Sequence, residues 1–151
     1  MRRFFALASL TLGFIAVANA GGPGFLDKPK ADSPFLPVDQ AFEIQPLEKK
    51  DGGLVVSWRI APGYYLYRKR LAFRVLAPEK LKLDDAVLPH GVKVEDEYFG
   101  AVEIYRDALL KVPLPARAAL PKQLKLKVSY QGCAEAGLCY PPQERVLELT
   151  P

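Results

Sequence analysis

The chain is poor in the residues that most often carry chemistry. It has one histidine and two cysteines, and its one methionine is Met1. No Cys/His cluster has the spacing of a zinc site, so no metal is expected. His90 stands between Pro89 and Gly91 and reads as a turn histidine rather than a catalytic base. A hydrolase and a metalloprotein are therefore set aside, and no cofactor is called for. Without methionine after residue 1 there is no Met-rich peptide or metal surface. Charge of one sign is scarce as well. The formal net charge is +4 over 151 residues, and two of the positive charges are Arg2 and Arg3. That balance argues against nucleic acid or an anionic membrane as partner. After residue 20 no apolar run reaches membrane-spanning length.

The amino terminus has its own pattern. Arg2 and Arg3 precede an apolar run, Phe4 to Val17, which ends at Ala18-Asn19-Ala20. That is the layout of a secretory signal (residues 1–20) cleaved after Ala20. The expected location is the bacterial periplasm, where disulfides are allowed. Residues 21–34, rich in Gly and Pro, read as a flexible leader, and residues 34–37 as the point where the chain begins to dock on a single domain, 35–151.

From residue 40 onward the pattern is short β-strands. Strands are expected over 41–47, 54–60, 64–67, 71–76, 102–106, 108–114, 122–130 and 144–149. Lys50-Asp51-Gly52-Gly53 is a hairpin turn. In 54–60, Val56, Trp58 and Ile60 share a face. Segments 102–106 and 108–114 are expected to pair, and 80–91 is a looser connection. Residues 122–130 alternate most strictly. Regular spacing without a helix predicts an all-β, antiparallel β-sandwich, with 14 prolines suited to strand ends and edges. Arg68, Lys69 and Arg70 read as a solvated strand end.

Chemistry concentrates in Tyr130-Gln-Gly-Cys133-Ala-Glu135-Ala-Gly-Leu-Cys139-Tyr-Pro-Pro142, which holds both cysteines. Six extended steps would separate them by roughly 20 Å, whereas a disulfide needs Cα atoms within about 7 Å. A bond therefore requires a tight reversal, most naturally at Ala136-Gly137. Two readings stand at this point. In one, a structural bridge staples a non-enzymatic binding module. In the other, the pair is a reversible redox centre at the tip of a hairpin. A bridge over so short a loop removes only about 2 kcal/mol of chain entropy. The small residues Gly132, Ala134, Ala136 and Gly137 would leave sulfur approachable. Glu135 beside the cysteines disfavours a thiolate, so these thiols should not be strongly acidic. They suit a relay better than an initiating oxidant. The acidic–aromatic segment Asp96-Glu97-Tyr98-Phe99-Gly100 reads either as a lid or as an ordinary exposed turn.

The cysteine segment closely resembles the active-site segment of the N-terminal periplasmic domain of the DsbD thiol:disulfide interchange family. Residues 58–70, 96–100 and 103–107 resemble it in the same order. The resemblance implies an immunoglobulin-like fold and a protein-disulfide reductase activity. It implies that Cys139 forms the mixed disulfide with partners and Cys133 resolves it. Asp96 to Gly100 would be the cap over the disulfide, with Asp96 and Glu97 keeping the thiols weakly acidic, and Tyr65 and Tyr67 would line the site unless they simply pack the sandwich. The family cap places Phe before Tyr. The order Tyr98-Phe99 points to Tyr98 as the shielding ring and leaves Phe99 as the alternative. Full-length members continue into a multi-helix membrane domain and a thioredoxin-like domain, either of which would be the electron donor. Disulfide isomerases and thioredoxin-like proteins of cytochrome c maturation would be acceptors, with this domain acting as a monomer.

Overall fold

The computed structural model describes residues 33–106 and 108–149. The signal-like segment and residues 21–32 of the leader lie outside them. Pro37 opens a helical turn, α1 (Val38–Ala41), its carbonyl accepting from the Gln40 and Ala41 amides at 2.9 Å each. The strand expected over 41–47 shortens accordingly to β1 (Phe42–Ile44). The helical turn takes Ala41, and Pro46 offers no ladder donor beyond the end. β2 (Glu48–Lys50) and β3 (Gly53–Ile60) form the expected hairpin. Its two turn residues, Asp51 and Gly52, both take positive φ (50° and 77°), as a two-residue hairpin turn demands.

β3 is the centre of the first sheet. β1 and β2 pair along one edge, and β8 (Leu109–Leu114) pairs along the other, from Leu54 opposite Leu114 to Arg59 opposite Leu109. Because both edges are covered, Val55 and Ser57 are buried as well as the expected face of Val56, Trp58 and Ile60. A second sheet runs in the order β10 (Gly132–Ala134), β4 (Tyr64–Tyr67), β7 (Gly100–Tyr105), β6 (Val92–Asp96). A third comprises β11 (Gln143–Leu149), β9 (Leu124–Tyr130) and β5 (Ala72–Ala77). All pairings are antiparallel.

The expected pairing of 102–106 with 108–114 is not found. β7 bonds to β4 and β6, while β8 bonds to β3 in another sheet. No glycine or asparagine between them supports a tight reversal, so the chain crosses from one sheet to the next. The main core lies between the sheets. Leu54, Val56 and Trp58 meet Val112 and Leu114, and Leu126, Val128 and Tyr130 close it from β9. The Trp58 ring is edge-on to Phe73 and Tyr130, with centroids 6.2 and 5.9 Å away. Each fully buried aliphatic side chain contributes roughly 1.5–3 kcal/mol. The architecture is an immunoglobulin-like antiparallel β-sandwich.

Candidate redox site

The cysteine segment connects β9 to β11, whose ladder closes at Tyr130 opposite Gln143. It is more than a hairpin tip. Residues 132–134 leave the third sheet and add β10 to the edge of the second, with Cys133 opposite Tyr65. Cys133 and Cys139 are bonded, S–S 2.04 Å and Cα–Cα 4.0 Å, and face each other across an antiparallel bridge. The reversal between them is a turn with Glu135 and Ala136 at its centre, closed by the Gly137 amide donating to Ala134 O (3.0 Å), and Gly137 leaves it at φ 102°.

Several backbone hydrogen bonds fix this loop without involving sulfur. The Ala134 amide donates to Leu138 O (2.7 Å), Glu135 to Gly63 O (2.8 Å), Tyr140 to Gly132 O (3.0 Å) and Tyr67 to Gln131 O (3.0 Å). The small residues of the loop were expected to leave sulfur approachable. The structure confines that to one of the two. Cys133 has 0% exposure because β10 lays it on the inner side of an edge strand, and only Cys139 is half-buried.

β4 places Tyr65 and Tyr67 on one face of the second sheet and Leu66 on the other, in the main core. Tyr65 and Tyr67 are therefore not main-core packing. Tyr67 forms a small second core with Ile104 and Cys133, flanked by Tyr65, Val94, Val102 and Cys139. Its hydroxyl donates to Asp96 Oδ2 at 2.7 Å and lies 3.2 Å from Cys133 Sγ and 3.9 Å from Cys139 Sγ. Tyr65 donates to the same carboxylate oxygen at 3.0 Å. Burial, then its bonds to Tyr65 and Asp96, push the Tyr67 phenol well above its ordinary value. Burial raises Tyr65 as well, opposed by its bond to Tyr67 and supported by Asp96 and the charge of Glu97. Burial works to raise the Asp96 pKa, but hydrogen bonds from Tyr67, Tyr98 N, Tyr65 and Phe99 N outweigh it and hold the carboxyl below the usual range. At neutral pH two protonated phenols thus present an ionised carboxylate one hydroxyl away from sulfur.

The segment 96–100 is the turn of the β6–β7 hairpin. Asp96 Oδ1 accepts the amides of Tyr98 (2.9 Å) and Phe99 (3.0 Å), and Gly100 leaves the turn at φ 67°. One carboxylate therefore shapes the turn with one oxygen and binds both tyrosines with the other. The two aromatic rings go separate ways. Tyr98, 56% exposed, reaches the disulfide loop, its hydroxyl 3.5 Å from Gly137 O. Phe99, 42% exposed, lies edge-on to Tyr67 at a centroid distance of 5.1 Å. Glu97 is exposed in the turn. Glu135 is exposed too and pairs with Arg106 at 3.5 Å, so Asp96 rather than Glu135 is the carboxylate connected to the sulfurs.

The roles of three contributors were not foreseen from the sequence. Tyr140, directly after Cys139, donates its hydroxyl to Leu36 O (2.5 Å), while Leu36 N donates to the Tyr64 hydroxyl (2.8 Å). Residues 34–37 are docked through this clamp, as their composition suggested. Arg106 sits on the flank with Glu135. Arg70 lies with its guanidinium carbon 4.7 Å from the Phe99 centroid. Only Tyr140 carried a local signal, its place beside a cysteine.

Residues 32–151 match the profile of the family described as thiol:disulfide interchange protein DsbD, N-terminal. The chain is 41% identical over 149 residues to thiol:disulfide interchange protein DsbD 2 of Pseudomonas aeruginosa, covering 99% of this chain and 24% of that protein. It is 44% identical over 141 residues to DsbD of Escherichia coli O157:H7, covering 93% of this chain and 24% of that one. The chain thus spans about a quarter of the length of these relatives. Among solved structures it is similar to the reduced form of the Neisseria meningitidis DsbD N-terminal domain, with TM-score 0.68 and 35% identity over 77% of this chain and 90% of that one. It is also similar to a chain in the complex between the DsbD and PilB N-terminal domains of the same organism, with TM-score 0.65, 35% identity and coverage of 77% and 88%. A fold, a cysteine pair and a sequence that agree over the whole β-sandwich lead to one assignment: the chain belongs to the DsbD N-terminal domain family.

Proposed function

We propose that residues 35–151 are a periplasmic thiol:disulfide exchange domain, reached through a signal cleaved after Ala20 and a leader over 21–34. It acts as a protein-disulfide reductase through reversible opening of the Cys133–Cys139 bond. The observation that carries this reading is the asymmetry of the pair. Cys133 is fully buried against the Tyr67 hydroxyl, and Cys139 is half-buried at the surface.

In the reduced domain the Cys139 thiolate attacks one sulfur of a partner's disulfide. That S–S bond breaks, a mixed disulfide forms, and the partner's other sulfur leaves as a thiolate. Cys133 then attacks Cys139 Sγ. The partner departs as a dithiol carrying two electrons, and the Cys133–Cys139 disulfide re-forms. A donor dithiol recharges the domain by the same steps in reverse. The donor is a DsbD-type membrane domain or a thioredoxin-like domain, and the acceptors are thioredoxin-fold proteins such as disulfide isomerases and those of cytochrome c maturation. The Neisseria relative's complex with the PilB N-terminal domain supports direct docking of a protein partner.

Asp96, Tyr65 and Tyr67 are the electrostatic floor of the site. The ionised carboxylate disfavours a thiolate while the cap is closed, and the Tyr67 oxygen, its own proton donated to Asp96, can accept a hydrogen bond from the Cys133 thiol once the bond is reduced. Tyr98, Phe99 and Gly100, with Glu97 at the rim, form the cap that partner docking displaces.

The test is trapping. Reduced Cys133→Ser protein mixed with an oxidised thioredoxin-fold partner is expected to accumulate a mixed disulfide on a non-reducing gel, and Cys139→Ser to give none. Absence of an adduct with every such partner would return the pair to the role of a structural bridge.

A further inference from the structure

Arg68, Lys69 and Arg70 form a single 3-10 turn after β4. The two arginines serve different neighbours. Arg68 turns toward the 88–91 loop, donating to Pro89 O (3.1 Å) and Leu88 O (3.3 Å), with Glu103 3.6 Å away. Arg70 turns toward the cap, its guanidinium 4.7 Å from the Phe99 centroid. Among the described residues no carboxylate lies within ion-pairing distance of Arg70. Its positive charge is directed at an aromatic ring.

Phe99 stands at the rim of a groove. A groove of about 370 Å³, lined by Tyr67, Lys69, Arg70, Phe99, Val102 and Glu103, opens beside the ring. The Phe99 ring meets the edge-on Tyr67 ring and the Arg70 guanidinium. Tyr67 is the residue whose hydroxyl lies 3.2 Å from Cys133 Sγ. Arg70, Phe99, Tyr67 and the disulfide therefore form one continuous chain of contacts.

We infer that Arg70 is a positioning residue for the cap. It holds Phe99 against Tyr67 and so sets how often the Cys133–Cys139 disulfide is open to a thiol. The inference rests on the exchange reading and adds a gate to it. A cation over an exposed ring is a weak tie, and removing it shifts a two-state opening by roughly two- to fivefold. That scale suits a cap that must close against small thiols and still yield to a docking protein.

The test is the rate at which dithiothreitol reduces the oxidised full-length chain, followed by acid quench and thiol labelling. Dithiothreitol gives two electrons and two protons to the disulfide and becomes its own cyclic disulfide. Arg70→Ala is expected to raise this rate about two- to fivefold at an unchanged melting temperature. Arg70→Lys, which keeps a cation, is expected to fall between Arg70→Ala and the parent. In a Phe99→Leu background Arg70→Ala is expected to add nothing. A parental rate in Arg70→Ala, or the same increase with Phe99 already replaced, overturns the inference. Partner trapping by Cys133→Ser reads out the exchange role separately, so failure of one can be told from failure of the other.

Discussion

The Tyr67 hydroxyl stands 2.7 Å from the Asp96 carboxylate and 3.2 Å from the Cys133 sulfur. One oxygen thus joins the carboxylate of the 96–100 turn to the disulfide, and a change at either end is expected to reach the other.

The first consequence concerns reactivity. Asp96→Asn keeps the amide-accepting oxygen of the turn and removes the charge. Alkylation of the reduced domain by iodoacetamide at neutral pH is expected to accelerate by about three- to tenfold. An unchanged rate would show that Asp96 shapes the turn without acting on sulfur.

Stability should weaken at both ends of the pH scale. Asp96 titrates lower in the folded protein than in the unfolded chain. Its contribution is complete above the ordinary carboxylate range and is lost as pH falls through it. Tyr65 and Tyr67 are raised above the ordinary phenol value of 10.0, and Tyr140 is pushed up to about 12 by burial and by Tyr64. Their contributions are complete below about pH 10 and are lost above it. Urea midpoints measured across pH are expected to fall on both limbs, less on the acid limb in Asp96→Asn and less on the alkaline limb in Tyr67→Phe.

The clamp on Leu36 should be measurable as a coupling. Tyr140→Phe removes the hydroxyl that donates to Leu36 O and is expected to cost about 0.5–1.5 kcal/mol in urea unfolding of the intact chain. In a chain beginning at Val38 the same substitution should cost much less. Equal costs in both would mean the hydroxyl acts elsewhere.

Gly132 tests how tightly β10 is seated. A Cβ there would fall 2.5 and 2.8 Å from Phe42 ring carbons and against the Tyr65 carbonyl oxygen. Gly132→Ala is expected to lose roughly 1–3 kcal/mol of stability, read as a lower urea midpoint. A neutral substitution would mean that β10 can lift from β4 without penalty.

Much of the sandwich was legible from pattern. Residues 124–130 alternate in burial as they do in sequence, and Asp51-Gly52 turns as its composition demands. The cysteine pair, a reversal within one residue of Ala136-Gly137 and the acidic–aromatic turn were also readable from residue type and spacing. What pattern could not reveal was which sheet a short strand joins. β10 is three residues long, too short for a period, and its place beside β4 follows from long-range pairing. The crossing between β7 and β8 was misread because neighbours in sequence were assumed to be neighbours in a ladder. Arg70 looked like part of a solvated basic run because its partner, Phe99, is nearby only after β4, β6 and β7 have assembled.

The hydrogen bonds that tie Ala134 to Leu138, Glu135 to Gly63, Tyr140 to Gly132 and Tyr67 to Gln131 bear on turnover. None of them runs through sulfur, so on the proposed exchange cycle the loop that brings Cys133 and Cys139 together is expected to keep its shape when the bond opens. Each round would then start from the same geometry, and the domain would be recharged without refolding in between.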